Sequence, residues 1–97
     1  MWLAIGKVVL HLPQARGLKD KRRVLRHLQD RAHARWRVSF TEVEAQDQHR
    51  RAVLGFAAVT ADRGTAEHLA DRLRSMCEDV VEAQVVDWQE RIEREMS

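Results

Sequence analysis

Residues 2–12 (WLAIGKVVLHL) are apolar and β-branched almost without a break, interrupted only by Lys7 and His11, which share one parity. Such a run reads as a central strand buried on at least one face. Side chains alternate along a strand, so Leu3, Ile5, Lys7, Val9 and His11 fall on one face. Trp2, Ala4, Gly6, Val8, Leu10 and Leu12 fall on the other, which is assigned to the core. Pro13 has no N–H for a ladder and ends the strand, and residues 13–17 form a loop.

The period then changes. Over Gly17 to Arg37, at about 100° per residue, Leu18, Val24, Leu25, Leu28, Ala32 and Trp36 gather in one arc, and Lys19, Arg22, Arg23, Arg26 and His33 gather roughly opposite. This is an amphipathic helix with a basic outer face. Gly17 is a weak N-cap, and Asp20 in the first turn suits the helix dipole. Lys21 breaks the pattern, because it lies inside the apolar arc. Its stem is expected to run past the core edge and release the ammonium to water; the alternative is that the ammonium faces a specific group near the helix start.

Residues 38–45 read as a second strand, with Val38 and Phe40 on one parity and Val43 and Ala45 on the other, so that a bulge near Thr41 or Glu42 is expected. The polar stretch 44–51 is a hairpin connection, and Ala52–Ala61 is another central strand, with small residues at Gly55, Ala57 and Ala58 for close packing under a helix. Asp62 is placed to cap a second helix whose apolar stripe is Ala66, Leu69, Ala70, Leu73, Met76, Cys77 and Val80. Residues 83–88 form a last strand. Residues 89–97 are charged, with only Ile92 and Met96 as anchors, and are expected to fray or to form a short helix.

The order β-α-β-β-α-β predicts one ferredoxin-like α+β domain over residues 1–97, a four-stranded antiparallel sheet with both helices on one face. The opposite face then carries Leu3, Ile5 and Val9, which is too apolar to stay wet. A second copy or another partner is expected to cover it, and a homodimer through the sheet face or edge is the economical arrangement.

Ninety-seven residues suffice for a self-standing core. Cys77 is the only cysteine and excludes an intrachain disulfide, which fits a reducing compartment. No apolar run approaches the roughly 18 residues of a membrane span, and Met1-Trp2 leads into a strand and not a leader. A cytoplasmic protein without a membrane partner is therefore expected. The net charge of +2 hides a division: residues 1–37 hold ten Lys or Arg and two acids, and residues 38–97 hold seven and thirteen. The basic third of the chain is where an anionic partner would land, and a solvated, salt-bridged helix face is the competing reading.

Arg16, Lys19, Lys21, Arg22, Arg23 and Arg26 are the candidate nucleic-acid contacts, since they can neutralise phosphates and release counterions. Backbone N–H groups near Gly17 and Leu18 could hold one phosphate. Trp36, between Arg35 and Arg37, is a weak candidate for stacking on a base, its continuation of the apolar arc pointing instead to a core plug. Residues 54–59 faintly echo an RNA-recognition-motif strand, but Ala58 and Ala61 stand where stacking aromatics are needed.

Enzyme readings find less support. A helix-start anion loop with Gln14 and Arg16 invites comparison with acylphosphatases, which need a catalytic Asn, and this chain has no Asn. Glu42, Glu44, Asp47 and His49 lie in or beside a solvated hairpin. The five histidines show no zinc-like pairing, and Cys77 belongs to a core stripe. No catalytic residue, metal, cofactor or small-molecule substrate is expected.

The run Gly17-Leu18-Lys19-Asp20-Lys21-Arg22-Arg23-Val24-Leu25, the strand Val38-Ser39-Phe40-Thr41-Glu42-Val43, Gln46-Asp47, Arg51-Ala52-Val53-Leu54-Gly55 and Val86-Asp87-Trp88 together resemble the YlxP-like family, the bacterial domain of unknown function 503. The likeness spans nearly the whole chain, although Gly17 stands where the family pattern suggests Ser. It implies a small ferredoxin-like domain and, from the translation and ribosome-maturation genes that often neighbour the family's genes, a link to RNA. The expected function is a non-enzymatic RNA- or ribosome-associated binding module acting through the basic first helix. The alternative is a protein-interaction or dimerisation module docking through Leu3, Ile5 and Val9.

Overall fold

The chain folds, in a computed structural model that describes residues 1–96, as β1 (Trp2–His11), α1 (Leu18–Arg35), β2 (Ser39–Glu44), β3 (Arg51–Thr60), α2 (Arg63–Glu78) and β4 (Gln84–Arg94). The strands form one antiparallel sheet in the order β2-β3-β1-β4, which is the ferredoxin-like α+β arrangement. β1 sits at the centre, paired on both sides, as its continuous apolar character requires.

Register places Ala4 opposite Ala58, Val8 opposite Leu54 and Leu10 opposite Ala52, so one parity of each central strand faces the helices. Against that face α1 buries Val24, Leu25, Leu28 and Ala32, and α2 buries Ala66, Leu69, Ala70, Leu73, Met76 and Cys77; all join one core with Phe40 and Phe56. Both stripes follow the three-and-four spacing expected of helices that cover a sheet. Asp62 caps α2 by accepting from the Thr65 N–H at 2.8 Å and the Thr65 hydroxyl at 3.0 Å. Those bonds, the backbone one foremost, hold its carboxyl below the usual value.

Gly6 is a glycine because of what crosses it. Phe56 lies opposite in register, and its ring stacks on Trp88 with centroids 5.2 Å apart. A Cβ at Gly6 would overlap both the Phe56 ring and the Gln89 carbonyl oxygen.

The bulge expected near Thr41 or Glu42 falls at Val43, between the pairs Glu42–Leu54 and Glu44–Val53. One sequence expectation is corrected. Residues 89–94 form neither helix nor frayed tail but continue β4 along β1, with Ile92 opposite Ala4 and Arg94 opposite Trp2. Glu95 extends the ladder by donating its N–H to the Met1 carbonyl at 2.9 Å. Were β4 to stop at residue 88, the β1 edge opposite residues 89–94 would be unpaired, and its backbone groups gain more from pairing than the charged side chains of an exposed edge strand lose. Ser97 lies outside the described residues.

Candidate functional site

α1 begins at Gly17, whose backbone is extended (φ −177°, ψ −179°) and which supplies no side-chain cap. Asp20 turns back toward the preceding loop, accepting the Arg16 N–H at 2.8 Å. Its other oxygen lies 3.8 Å from Arg23 Nη2, a long and exposed ion pair. Lys19, Arg22, Arg23 and Arg26 are all exposed. Among the described residues no carboxylate comes within 4.0 Å of Lys19, Arg22 or Arg26. Together with His27 and Asp30 these side chains line a shallow groove on the outer side of the helix. At about 1.5 Å rise per residue, the row from Lys19 to Arg26 is about 10 Å long. Arg16, also exposed, stands just before it.

Lys21 does not belong to this row. It is 1% exposed, and its Nζ donates to the carbonyls of Gln48 at 2.6 Å, Ala45 at 2.7 Å and Arg51 at 2.9 Å. Glu42 Oε2 stands 2.7 Å away, although no N–H is directed at it, because an ammonium has three protons and three carbonyls already take them. The expectation that this side chain reaches past the core edge into water is overturned. The helix phase pointed Lys21 inward, and four oxygens of the β2–β3 hairpin make inward burial tolerable. The ammonium thus ties the start of α1 to the hairpin, where Ala45 has a left-handed backbone (φ 58°). Arg50 adds a second tie, its Nε donating to the Ala15 carbonyl at 3.3 Å while its own carbonyl accepts from the Leu12 N–H at 2.9 Å. Glu42 escaped sequence reasoning as the partner of Lys21. The available signal was a carboxylate in phase with Phe40, on the core side of the strand.

Trp36 is half-buried against the core, and its N–H closes α1 on the Ala32 carbonyl at 2.9 Å. Arg35 and Arg37 on either side are exposed. Of the hairpin residues, Glu42 is occupied by Lys21, and Glu44 lies 3.4 Å from Lys7 Nζ. The Cys77 thiol is buried, and desolvation, with Glu78 beside it, pushes its pKa up to about 12.

On the far face of the sheet, Leu3 and Ile5 are half-buried. Val9 is 9% exposed, and Val53 opposite it is fully covered. On this face the Lys7–Glu44 pair joins β1 to β2 and so crosses β3. Gly55 lies opposite Lys7, and Val43 fills the space beside it. The apolar residues that meet solvent on this face include Leu3, Ile5, Ala57 and Val59 at one end, and Val43, 48% exposed, on β2.

The family model described as "Protein of unknown function (DUF503)" matches residues 3–90, a span that takes in α1 and the hairpin it holds. The chain belongs to this family. The YlxP-like resemblance is consistent with that membership. No curated protein matches the chain. Among the described residues, no helix is long and apolar enough to cross a membrane.

Proposed function

We propose that this member of the DUF503 family is a non-enzymatic RNA- or ribosome-associated binding module, whose binding surface is the outer side of α1 with Arg16 before it. The observation that supports this reading is the row Lys19, Arg22, Arg23 and Arg26: exposed, on one side of a helix fixed by its buried stripe, and almost without carboxylate partners. A face kept only for solubility would be expected to intersperse both signs; here, among the described residues, Asp20 and Asp30 lie beside the row and Glu82 shares a cleft with Arg23, yet no carboxylate comes within 4.0 Å of Lys19, Arg22 or Arg26. Lys21 is left out of the surface, since its ammonium is occupied within the fold.

The test is binding of single-stranded and hairpin RNA probes, followed by anisotropy across a salt series. Four phosphate contacts imply a slope of log K against log salt of about −3 on single strands. A variant combining Arg22→Glu, Arg23→Glu and Arg26→Glu should lose binding while keeping its thermal transition. An affinity indifferent to salt and to the triple reversal would sink the reading.

The second reading is a protein-interaction module, favoured by Leu3 and Ile5 beside Val59, which is 64% exposed. Ile5→Lys should abolish partner capture on that reading and leave RNA affinity unchanged or raised.

A further inference from the structure

β4 is an edge strand, so only one side of the β4 backbone is paired, with β1. Glu95 donates its N–H to the Met1 carbonyl, and the Met1 ammonium donates to the Glu95 carbonyl at 3.1 Å. That exchange fixes the alternation along the strand. Gln89, Arg91 and Glu93 turn their backbone groups toward β1, whereas Glu90, Ile92 and Arg94 turn theirs outward. An outward row of N–H and C=O groups is a template for another strand.

The side chains along this row are antisymmetric in charge about Ile92. Arg91 precedes it and Glu93 follows; Glu90 lies two residues before and Arg94 two after. In an antiparallel pair of identical strands centred on Ile92, Ile92 faces its own copy, Arg91 faces Glu93 and Glu90 faces Arg94, each twice. Every facing charged pair is opposite in sign. Centres one or two residues away instead set Arg91, Glu90, Glu93 or Arg94 against its own copy. The backbone agrees with the side chains, because the outward groups of Ile92, Glu90 and Arg94 then form the bonded pairs. Arg91 and Glu93 fall in the closer, non-bonded pairs, where side chains interact most.

We propose that the protein forms a homodimer by antiparallel pairing of β4 with β4 of a second copy, centred on Ile92, doubling the four-stranded sheet. Within one chain Arg91 Nε lies 3.5 Å from Glu93 Oε1 on the exposed face. Pairing sets a second such couple against it with the signs reversed, while the half-buried Ile92 closes on its counterpart. Charge on an edge strand ordinarily discourages association. Here it selects one register and one partner. The interface does not rest on nucleic-acid binding, since α1 packs over β2 at the opposite side of the sheet and keeps its basic face clear.

Sedimentation velocity over a concentration series tests the dimer, and a monomer–dimer equilibrium is expected. Glu93→Arg sets like charges opposite each other twice and should weaken the dimer at least about tenfold. Adding Arg91→Glu restores the antisymmetry and should restore the dimer, with the far-ultraviolet spectrum unchanged throughout. Register is read separately by mixing an Arg91→Cys variant with a Glu93→Cys variant. Their facing Cα atoms would lie about 4.5 Å apart, within disulfide reach, so the mixture should crosslink under oxidation and neither variant alone should do so. Cys77, being buried, takes no part. A monomer at every concentration, a dimer insensitive to Glu93→Arg, a charge swap that fails to restore association, or crosslinking by either variant alone would each overturn the proposal.

Discussion

Lys21 and Glu42 meet at 2.7 Å, Nζ to Oε2, with the lysine side chain 1% exposed and the glutamate 21%. A pair so placed gives little net stability over two apolar residues, because desolvation offsets most of the attraction. Its effect is on position. The ammonium also holds the carbonyls of Ala45, Gln48 and Arg51, so one side chain of α1 fixes both ends of the β2–β3 connection. The cations of this helix therefore divide by phase into one that organises the hairpin and a row turned to solvent.

Lys21→Met should be among the most damaging single changes in the protein. It leaves the Glu42 carboxylate without a counter-charge and three carbonyls without a donor, a loss of about 3–5 kcal/mol. Thermal melting should fall by at least about 10 °C. Glu42→Gln should cost less, about 1–2 kcal/mol, since the carbonyls keep the ammonium occupied. The double variant should lose less than the sum of the two single losses. Additive losses would show that the pair is not coupled.

Most of the fold was legible because its signals are periodic: the unbroken apolar run of β1, the stripes of α1 and α2, and Asp62 ahead of the second helix. β4 was cut short because an edge strand alternates charged with charged, and only Ile92 marked its inner phase. The partner of Lys21 stayed hidden for a related reason. It stands in a strand whose phase changes at the Val43 bulge, and neither the bulge position nor the hairpin's path is written in local periodicity. Val9 is equally instructive. Its alternation places it on the outer face, yet it is only 9% exposed there, opposite a fully covered Val53, and a single strand's periodicity does not show such cover. The outward row of α1 needed only the helical angle, and Lys19, Arg22, Arg23 and Arg26 are indeed exposed.

Gly17→Ser should stabilise the domain. The cap residue is already extended, and nothing lies within 4 Å of a Cβ built there. A serine hydroxyl can accept from an N–H of the first turn that now lacks a side-chain partner, and the unfolded chain loses glycine's freedom. A gain of about 0.5 kcal/mol is expected, read as a higher midpoint in denaturant with an unchanged slope. A lower midpoint would mean that the Gly17 backbone is held for another reason.

Gly6→Ala should act in the opposite direction. The new methyl would meet the Phe56 ring on one side and the Gln89 carbonyl on the other, and a backbone oxygen in a paired strand cannot swing away. Overpacking of this kind costs about 1–3 kcal/mol. Combining it with Phe56→Leu should recover only part of the loss, since the carbonyl clash remains and the stack on Trp88 is gone. Full recovery would place the whole conflict at the ring.

Cys77 gives the protein a stability limb in alkaline solution. Burial, reinforced by Glu78, raises the thiol from an ordinary 9.0 to about 12 in the folded chain. Between those values the unfolded state has released the proton and the folded state has kept it. The unfolded state then binds fewer protons, so stability falls as pH rises. The contribution is fully present below about pH 9 and is lost on the way to 12. Cys77→Ala should lower stability at neutral pH by leaving a cavity and should flatten the decline above pH 9. In the native protein the thiol should resist alkylation until the chain opens. The chain has no tyrosine, so thiolate absorbance can be followed directly during titration without interference from tyrosinate. A thiolate that appears near pH 9 with the fold intact would contradict the buried placement.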